Sequence, residues 1–398
     1  MTAGHSDLVR FESNTSDRFS AVKRELTKMV QQARINVRKR TSGQNLLSQK
    51  FLTQVRQALE GVDMRQRFRA KVGQRETSSW LTSDPLYQAW LSTAQSSKTQ
   101  RSYMWLKGGP GLGKTNASLA AVQKISQAQL QEQQMDTVHG RNETFLAYFL
   151  CERSSGCSTA EDLLKSLITQ LINQEESLAQ HARWFVPNPR YRGPTENESP
   201  ESTVSSGAKA TATVDNLFQC LQDMIDDPVV SSVHLVISNM HCLESSDSTN
   251  ALLAKLRYDA ESAPLAPRRA RWLITSRNDK HIRQYLAVKC VSVIDLENDR
   301  EYGNKVKVAR QKHAKDTVAQ LRANKKYSSD LAYHVRNFIE SQSEDEKWID
   351  VLCILLGAMP ADTSNLSVRK WLKETGTYSI DKLVKHAWNT VCPSACIV

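Results

Sequence analysis

An α/β fold, a parallel five-stranded sheet flanked by helices with N-terminal helices before it and a C-terminal helical region after it, is predicted by three observations on this 398-residue sequence. Short apolar runs rich in β-branched and aromatic residues recur with helical stretches between them, the pattern of strands covered on both faces. One of those runs leads into a glycine-rich loop that opens a helix. Beyond Asn304 the apolar spacing is helical only. Alternation of strands and helices implies a parallel sheet wrapped by helices.

The first strand is Tyr103-Met104-Trp105-Leu106, and the loop that follows reads GGPGLGKT from Gly108 to Thr115, a complete P-loop consensus. Binding phosphate requires backbone N–H groups that all turn toward one anion. Gly108, Gly109, Gly111 and Gly113 allow the dihedrals and the close approach this needs, with Pro110 and Leu112 between them. Lys114 is placed to pair with the β and γ phosphates, and Thr115 to offer its hydroxyl to Mg²⁺. These eight residues are the expected nucleotide-binding set.

The remaining strands are expected at Thr144–Leu150, Val233–Met240, Arg271–Ser276 and Val291–Leu296, with helices at Ala160–Ile172, Val214–Ile225 and Asn250–Tyr258. From Ser16 to Val62 apolar residues recur at helical spacing around a Thr-Ser-Gly break at 41–43, which predicts a pair of helices. In SSWLTSDPLYQAWL, Asp84-Pro85 marks a helix start and Trp80, Tyr87 and Trp90 are expected as core contacts. Residues 187–212 are poor in apolar side chains and rich in Pro, Ser, Thr and Glu, the composition of a disordered insertion. Three regions follow: a basic helical segment at 1–75, the nucleotide-binding domain at 76–300 with that insertion, and a C-terminal helical region at 301–398.

Composition narrows the class. Apolar residues make up 40% of the chain, enough for a core in each region. No stretch reaches the roughly 18–20 apolar residues that span a bilayer, and the N-terminus lacks a signal-peptide core, so a cytoplasmic protein is expected. The eight cysteines contain no CxxC pair, which argues against a zinc site or a disulfide framework, and Ala395 occupies the position a prenylated cysteine would need. Most of the thiols are expected to be buried. Of the net charge of +11, residues 1–75 supply sixteen Lys or Arg against six acids, and Arg300–Lys326 nine against two. Such segments could contact nucleic acid or an anionic membrane, or be solvated helix faces; neither interleaves the aromatics of a base-stacking platform, which favours the faces.

The order of these blocks resembles the NACHT-type P-loop ATPases of the STAND class, of the nephrocystin-3-like N-terminal type, in the form common in fungal signalling and incompatibility proteins. The resemblance is carried by ALEGVDMRQRFRAKV, TSSWLTSDPLYQAWL, YMWLKGGPGLGKT, FLAYFLCERSSGCSTAEDLLKSLITQLI, VHLVISNMHCL and RWLITSRND, over about residues 55–300. It implies an ATP- or ADP-dependent switch that controls helical domains and often self-association. It also implies that Arg277, after the fourth strand, senses the γ phosphate. The family's Walker B strand ends in a Mg²⁺-holding aspartate with further acids behind it. Here Ser238 takes the first position and His241 and Cys242 the later ones, with Glu244 the nearest acid. A hydroxyl brings no charge, so Mg²⁺ is expected to be weakly held, by Thr115 and Ser238, and hydrolysis to be slow or absent. A His241–Cys242 thiol pair is not expected, because neighbours on a strand point to opposite faces. No NKxD box follows a strand, which favours adenine.

Family members continue into a winged helix and repeat arrays, whereas this sequence stops at Val398 without a repeat of about 20–50 residues. The expectation is a minimal partner of other chains or a truncated descendant of a larger gene. Three functions compete: a nucleotide-binding signalling switch with little hydrolysis, an active Mg²⁺-dependent ATPase switch, and an interaction scaffold with a vestigial loop.

Overall fold

The computed structural model describes residues 49–72, 80–92, 101–135, 144–153, 156–186, 211–262, 269–325, 327–342, 346–360, 363–376 and 378–391. The helices expected before residue 49 and nearly all of the insertion expected at 187–212 lie outside them.

Five strands, β1 (Tyr103–Lys107), β2 (Thr144–Leu150), β3 (Ser232–Ser238), β4 (Ala270–Ser276) and β5 (Val291–Asp295), pair in parallel in the order β2-β3-β4-β1-β5. β1 is flanked by strands on both sides: Lys107 stands opposite Ser276 of β4 and Asp295 of β5. β3 ends two residues before the expected Met240, because Asn239 turns into the left-handed region at φ 58° and breaks the extended backbone. Buried apolar side chains fill the strands, and Trp272 and the Tyr103 ring stack with centroids 5.8 Å apart. Each fully buried large side chain contributes about 1.5–3 kcal/mol.

Helices cover both faces. α1 (Gln49–Ala58), α2 (Met64–Val72) and α3 (Pro85–Leu91) precede the sheet, and α4 (Lys114–Met135) follows β1. α5 (Ala160–Gln174), α6 (Val214–Asp226), α7 (Asp247–Glu261) and α8 (Lys280–Leu286) lie between the later strands. Their starts are set by side-chain caps: Asp84 for α3, with Pro85 at its first position, Thr159 for α5, Thr213 for α6, Ser246 for α7 and Asp279 for α8. The Ser246 cap starts α7 three residues ahead of the expected Asn250. Tyr87 and Trp90 are buried in the core as expected, and Trp80 is half-buried 6.2 Å from the Tyr302 ring.

The core around the sheet runs from Leu52 to Val306 and takes in Leu52, Val55 and Leu59 of the N-terminal helical segment. After β5 come α9 (Arg300–Lys325), α10 (Ser329–Gln342), α11 (Glu346–Ala358), α12 (Asn365–Thr375) and α13 (Ile380–Val391). They enclose a second core built on Leu331, Ile349, Leu352, Leu356, Val368 and Leu372. α9 belongs to both: Tyr302 and Val306 pack on the sheet side, whereas Ala314, Val318 and Leu321 enter the second core. One continuous helix therefore joins the sheet to the C-terminal helices. In its basic run Lys305 is paired with Asp84 and Glu301, while Lys307, Lys312, Lys315 and Arg322 are exposed.

Candidate functional site

The glycine loop leaves the carboxyl end of β1, where open parallel sheets place their ligands. Its base is fixed on both sides. Lys107 reaches Asp295 at 2.8 Å, and the Gly108 N–H donates to the Ser276 carbonyl at 3.3 Å. Burial pushes the Asp295 carboxyl up, but Lys107, Asn298 and the N–H groups of Asn298 and Glu297 outweigh it and hold the group at about 2. Gly111 and Gly113 stand at φ 73° and 72°, conformations an L side chain adopts at a cost of about 1–2 kcal/mol. Gly108 is needed for a different reason: a Cβ there would lie 2.9 Å from Leu296 Cβ, which cannot swing away. At Gly109 a Cβ would meet the Glu297 Oε1 at 2.8 Å. Pro110 is exposed, and Leu112 packs against the sheet core.

Lys114 is the first residue of α4 and is 6% exposed. Its ammonium donates to the Gly108 carbonyl at 2.7 Å and also to that of Gly109, so it lies folded under the loop. The helix start adds its partial positive charge at the same place. These conformations fit a polyphosphate: a curved backbone with small residues at its crowded positions and a cation at its centre.

Thr115 Oγ1 lies 3.0 Å from Nδ2 and 3.2 Å from Oδ1 of Asn239. The left-handed turn at Asn239 makes this contact, and its N–H is anchored on Thr275 Oγ1 at 2.9 Å. Ser238 is fully buried one residue earlier, and its hydroxyl is 3.1 Å from Ser118 of α4. The side chain that meets Thr115 is thus Asn239, which the sequence reading did not single out. The signal was present, since asparagine tolerates the left-handed region best among side chains of its size. Glu244 is exposed and accepts from the Ser158 hydroxyl at 2.5 Å. A resident Mg²⁺ prefers anionic oxygens, and these donors do not fit one: Thr115 meets a neutral amide and Ser238 another hydroxyl. Among the described residues no group of three or more His, Cys, Asp or Glu could hold a metal ion.

A cavity of about 590 Å³ opens past the carboxyl ends of β2, β3 and β4. Arg153, His241, Cys242, Glu244 and Asp279 line it. Arg277, exposed after β4, donates its backbone N–H to His241 Nδ1 at 3.2 Å. Burial, then the charges of Arg277, Lys114 and Arg153, pull His241 down to about 4. His241 and Cys242 sit in a 3-10 turn, Met240–Cys242, rather than on a strand, and Cys242 Sγ comes within 3.7 Å of His241 Nε2. The opposite-faces expectation therefore fails. The pair still lacks a base, because Nδ1 accepts from Arg277 and the neutral ring keeps its proton on Nε2, the nitrogen that faces the thiol. Among the described cysteines, all are free thiols: Cys151, Cys157, Cys220 and Cys353 are buried, and Cys242 and Cys290 are half-buried.

Fold and site together define an α/β protein with a glycine-rich loop at the carboxyl end of β1, an interior strand of an all-parallel five-stranded sheet. The chain belongs to the nephrocystin 3, N-terminal family, whose model matches residues 76–277, just over half of the sequence. The match begins ahead of Trp80 and ends at Arg277, so it takes in α3, the loop, Asn239 and four of the five strands. No curated protein gives a significant match. Among the described residues no helix is long and apolar enough to cross a membrane.

Proposed function

We propose that this chain is a P-loop nucleotide-binding switch of the NACHT-like STAND class, in the form common in fungal signalling proteins, that holds ATP or ADP at Gly108–Thr115 and hydrolyses ATP slowly or not at all. The observation that carries the reading is the contact at Thr115. A complete loop with its lysine in place faces an amide, Asn239, where hydrolysis calls for a carboxylate. The strand order β2-β3-β4-β1-β5 with the loop after β1 supports the P-loop identity. The match to the nephrocystin 3, N-terminal family over residues 76–277 fits a nucleotide-binding domain. The reading goes with a cytoplasmic location and with protein partners or self-association, for which α9 offers the mechanical link between the sheet and the C-terminal helices.

Titration of the purified chain with labelled ATP and ADP, with and without Mg²⁺, tests it. Both nucleotides are expected to bind, Mg²⁺ to change their affinities little, and Lys114→Ala to weaken both by at least about tenfold, the loss of one charge-assisted contact. Absence of any nucleotide binding would remove the reading and leave the scaffold alternative. Mg²⁺-dependent turnover that disappears in Lys114→Ala would replace it with the active ATPase.

A further inference from the structure

β2 is the outermost strand on its side of the sheet, and its outward backbone groups are occupied by side chains of the chain's own helices. In a parallel ladder alternate residues of a strand bond to one neighbour. The Cys151 N–H donates to the Ser238 carbonyl, so the odd-numbered residues of β2 bond to β3, and Thr144, Leu146 and Tyr148 turn their backbone groups away from the sheet. Leu146 meets Gln174 of α5: its N–H donates to Oε1 at 3.1 Å and its carbonyl accepts from Nε2 at 2.7 Å. Tyr148 meets Gln170 in the same way, at 3.1 and 2.8 Å. Gln129 of α4 donates to the Thr144 carbonyl at 2.5 Å.

A carboxamide carries the same N–H and C=O groups as a peptide bond, so each of these two glutamines stands where a residue of a sixth strand would. Spacing explains why two fit: four residues of helix rise about 6 Å and two residues of strand about 6.6 Å, so positions 170 and 174 keep step with 146 and 148. Further bonds hold the amides in place, from Gln170 Nε2 to Ser166 Oγ at 3.1 Å and from Gln174 Nε2 to the Gln170 carbonyl at 2.9 Å. The segment they cover, TFLAYFL, has no charge, proline or glycine, the make-up of a strand that pairs with copies of itself. The opposite edge is blocked differently. The Leu296 N–H donates to the Lys107 carbonyl, which turns Val291 and Asp295 of β5 outward, and their carbonyls accept from Arg101 Nη1 at 3.2 Å and from the Asp299 N–H at 3.3 Å.

We propose that Gln170 and Gln174 act as a built-in surrogate strand that seals the β2 edge against strand addition by a second copy of this chain. The inference stands apart from nucleotide binding. A strand enters only where the amides release α5 from the edge, so the seal and the position of α5 are one device. Self-association of the protein is thereby directed to its helical surfaces and away from the sheet.

Binding of a labelled peptide with the sequence Thr144–Leu150, flanked by a neutral solubilising chain, is measured on the full chain by fluorescence anisotropy, with sedimentation velocity for self-association. Wild type is expected to leave the peptide free. Gln174→Leu should bind it, and Gln170→Leu/Gln174→Leu should bind it at least about tenfold more tightly and self-associate more strongly than wild type. Gln174→Glu breaks the same donor contact but sets a charge on the edge, which strand pairing avoids, so it should lose stability without binding the peptide. Gln174 is exposed, so the comparison of its Leu and Glu variants carries the test if the double variant fails to fold. Capture of the peptide by wild type would overturn the proposal. So would equal capture by Gln174→Glu and Gln174→Leu, which traces the effect to lost stability, or folded Leu variants that neither capture the peptide nor self-associate beyond wild type.

Discussion

Asp84 and Lys305 form a contact that ties the segment ahead of the sheet to the helix behind it. The Asp84 side chain has no exposed surface; Oδ1 accepts from the Leu86 N–H at 2.9 Å as the cap of α3, and Oδ2 meets Lys305 Nζ of α9 at 2.8 Å. Tyr302, one turn earlier on α9, lies with its hydroxyl 3.5 Å from the same carboxylate. Asp84 and Glu301 together pull the Lys305 ammonium well above its usual range. Asp84→Ala removes a cap and leaves Lys305 without its buried partner, and should lower stability by about 2–3 kcal/mol. Asp84→Asn keeps the acceptor for Leu86 and should lose about half as much. Chemical denaturation of the three proteins, followed by helical circular dichroism, measures the difference; equal losses would mean that the cap contributes nothing separable.

In the loop, two kinds of glycine should respond differently. Gly113→Ala forces a side chain into φ 72° and should weaken nucleotide binding at least about tenfold, with a stability loss of about 1–2 kcal/mol. Gly109→Ala meets only the far end of the Glu297 side chain, which can move, and should keep most of the affinity. A titration that ranks Gly109→Ala below Gly113→Ala would show that contact with Glu297, rather than backbone conformation, governs the loop.

The sequence made the sheet legible because its strands are continuous apolar runs bounded by polar turns; Thr144–Leu150 was readable to the residue. The end of β3 was harder. Ser238-Asn239-Met240 continues the apolar pattern, and only the φ of Asn239 reveals where the strand stops and which side chain reaches Thr115. The neighbours of Gly108 and Gly109, Leu296 and Glu297, come from the turn just past β5, distant in sequence, and leave no local signal. Likewise, periodicity marks α9 as helical but cannot show that its two halves serve different cores, since both present apolar residues at helical spacing.

Acid sensitivity should trace in part to His234, which stands opposite Arg271 of β4 and edge-on to Trp90, ring centroids 5.3 Å apart. Burial, and then the Arg271 charge, lower it to about 4. Unfolded, the same imidazole takes up its proton near pH 6.5. Between those values the unfolded chain binds the extra proton, so stability falls as pH drops from about 6.5 toward 4. His241, lowered to about 4 as well, acts in the same direction. His234→Leu should make the decline shallower by about 1 kcal/mol per pH unit across that window and leave it unchanged above pH 7. Denaturant midpoints at pH 7, 6 and 5 check this, and parallel curves for the two proteins would refute it.

The most direct test of the Thr115 contact compares acids at two adjacent positions. Ser238 is fully buried against Ser118, so Ser238→Asp puts a carboxylate among hydroxyls and apolar side chains and should destabilise the fold by several kcal/mol without helping the site. Asn239→Asp changes an amide for a carboxylate of the same shape in a backbone conformation aspartate also tolerates, next to the Thr115 hydroxyl at 3.0 Å. That charge should favour a divalent cation beside bound phosphates. The expected outcome is a Mg²⁺-dependent gain in nucleotide affinity for Asn239→Asp, on the order of tenfold and absent from wild type. Turnover should rise less, because His241 still presents a donor where a proton acceptor is required. Identical affinities with and without Mg²⁺ in folded Asn239→Asp would mean that residue 239 is not what limits the metal.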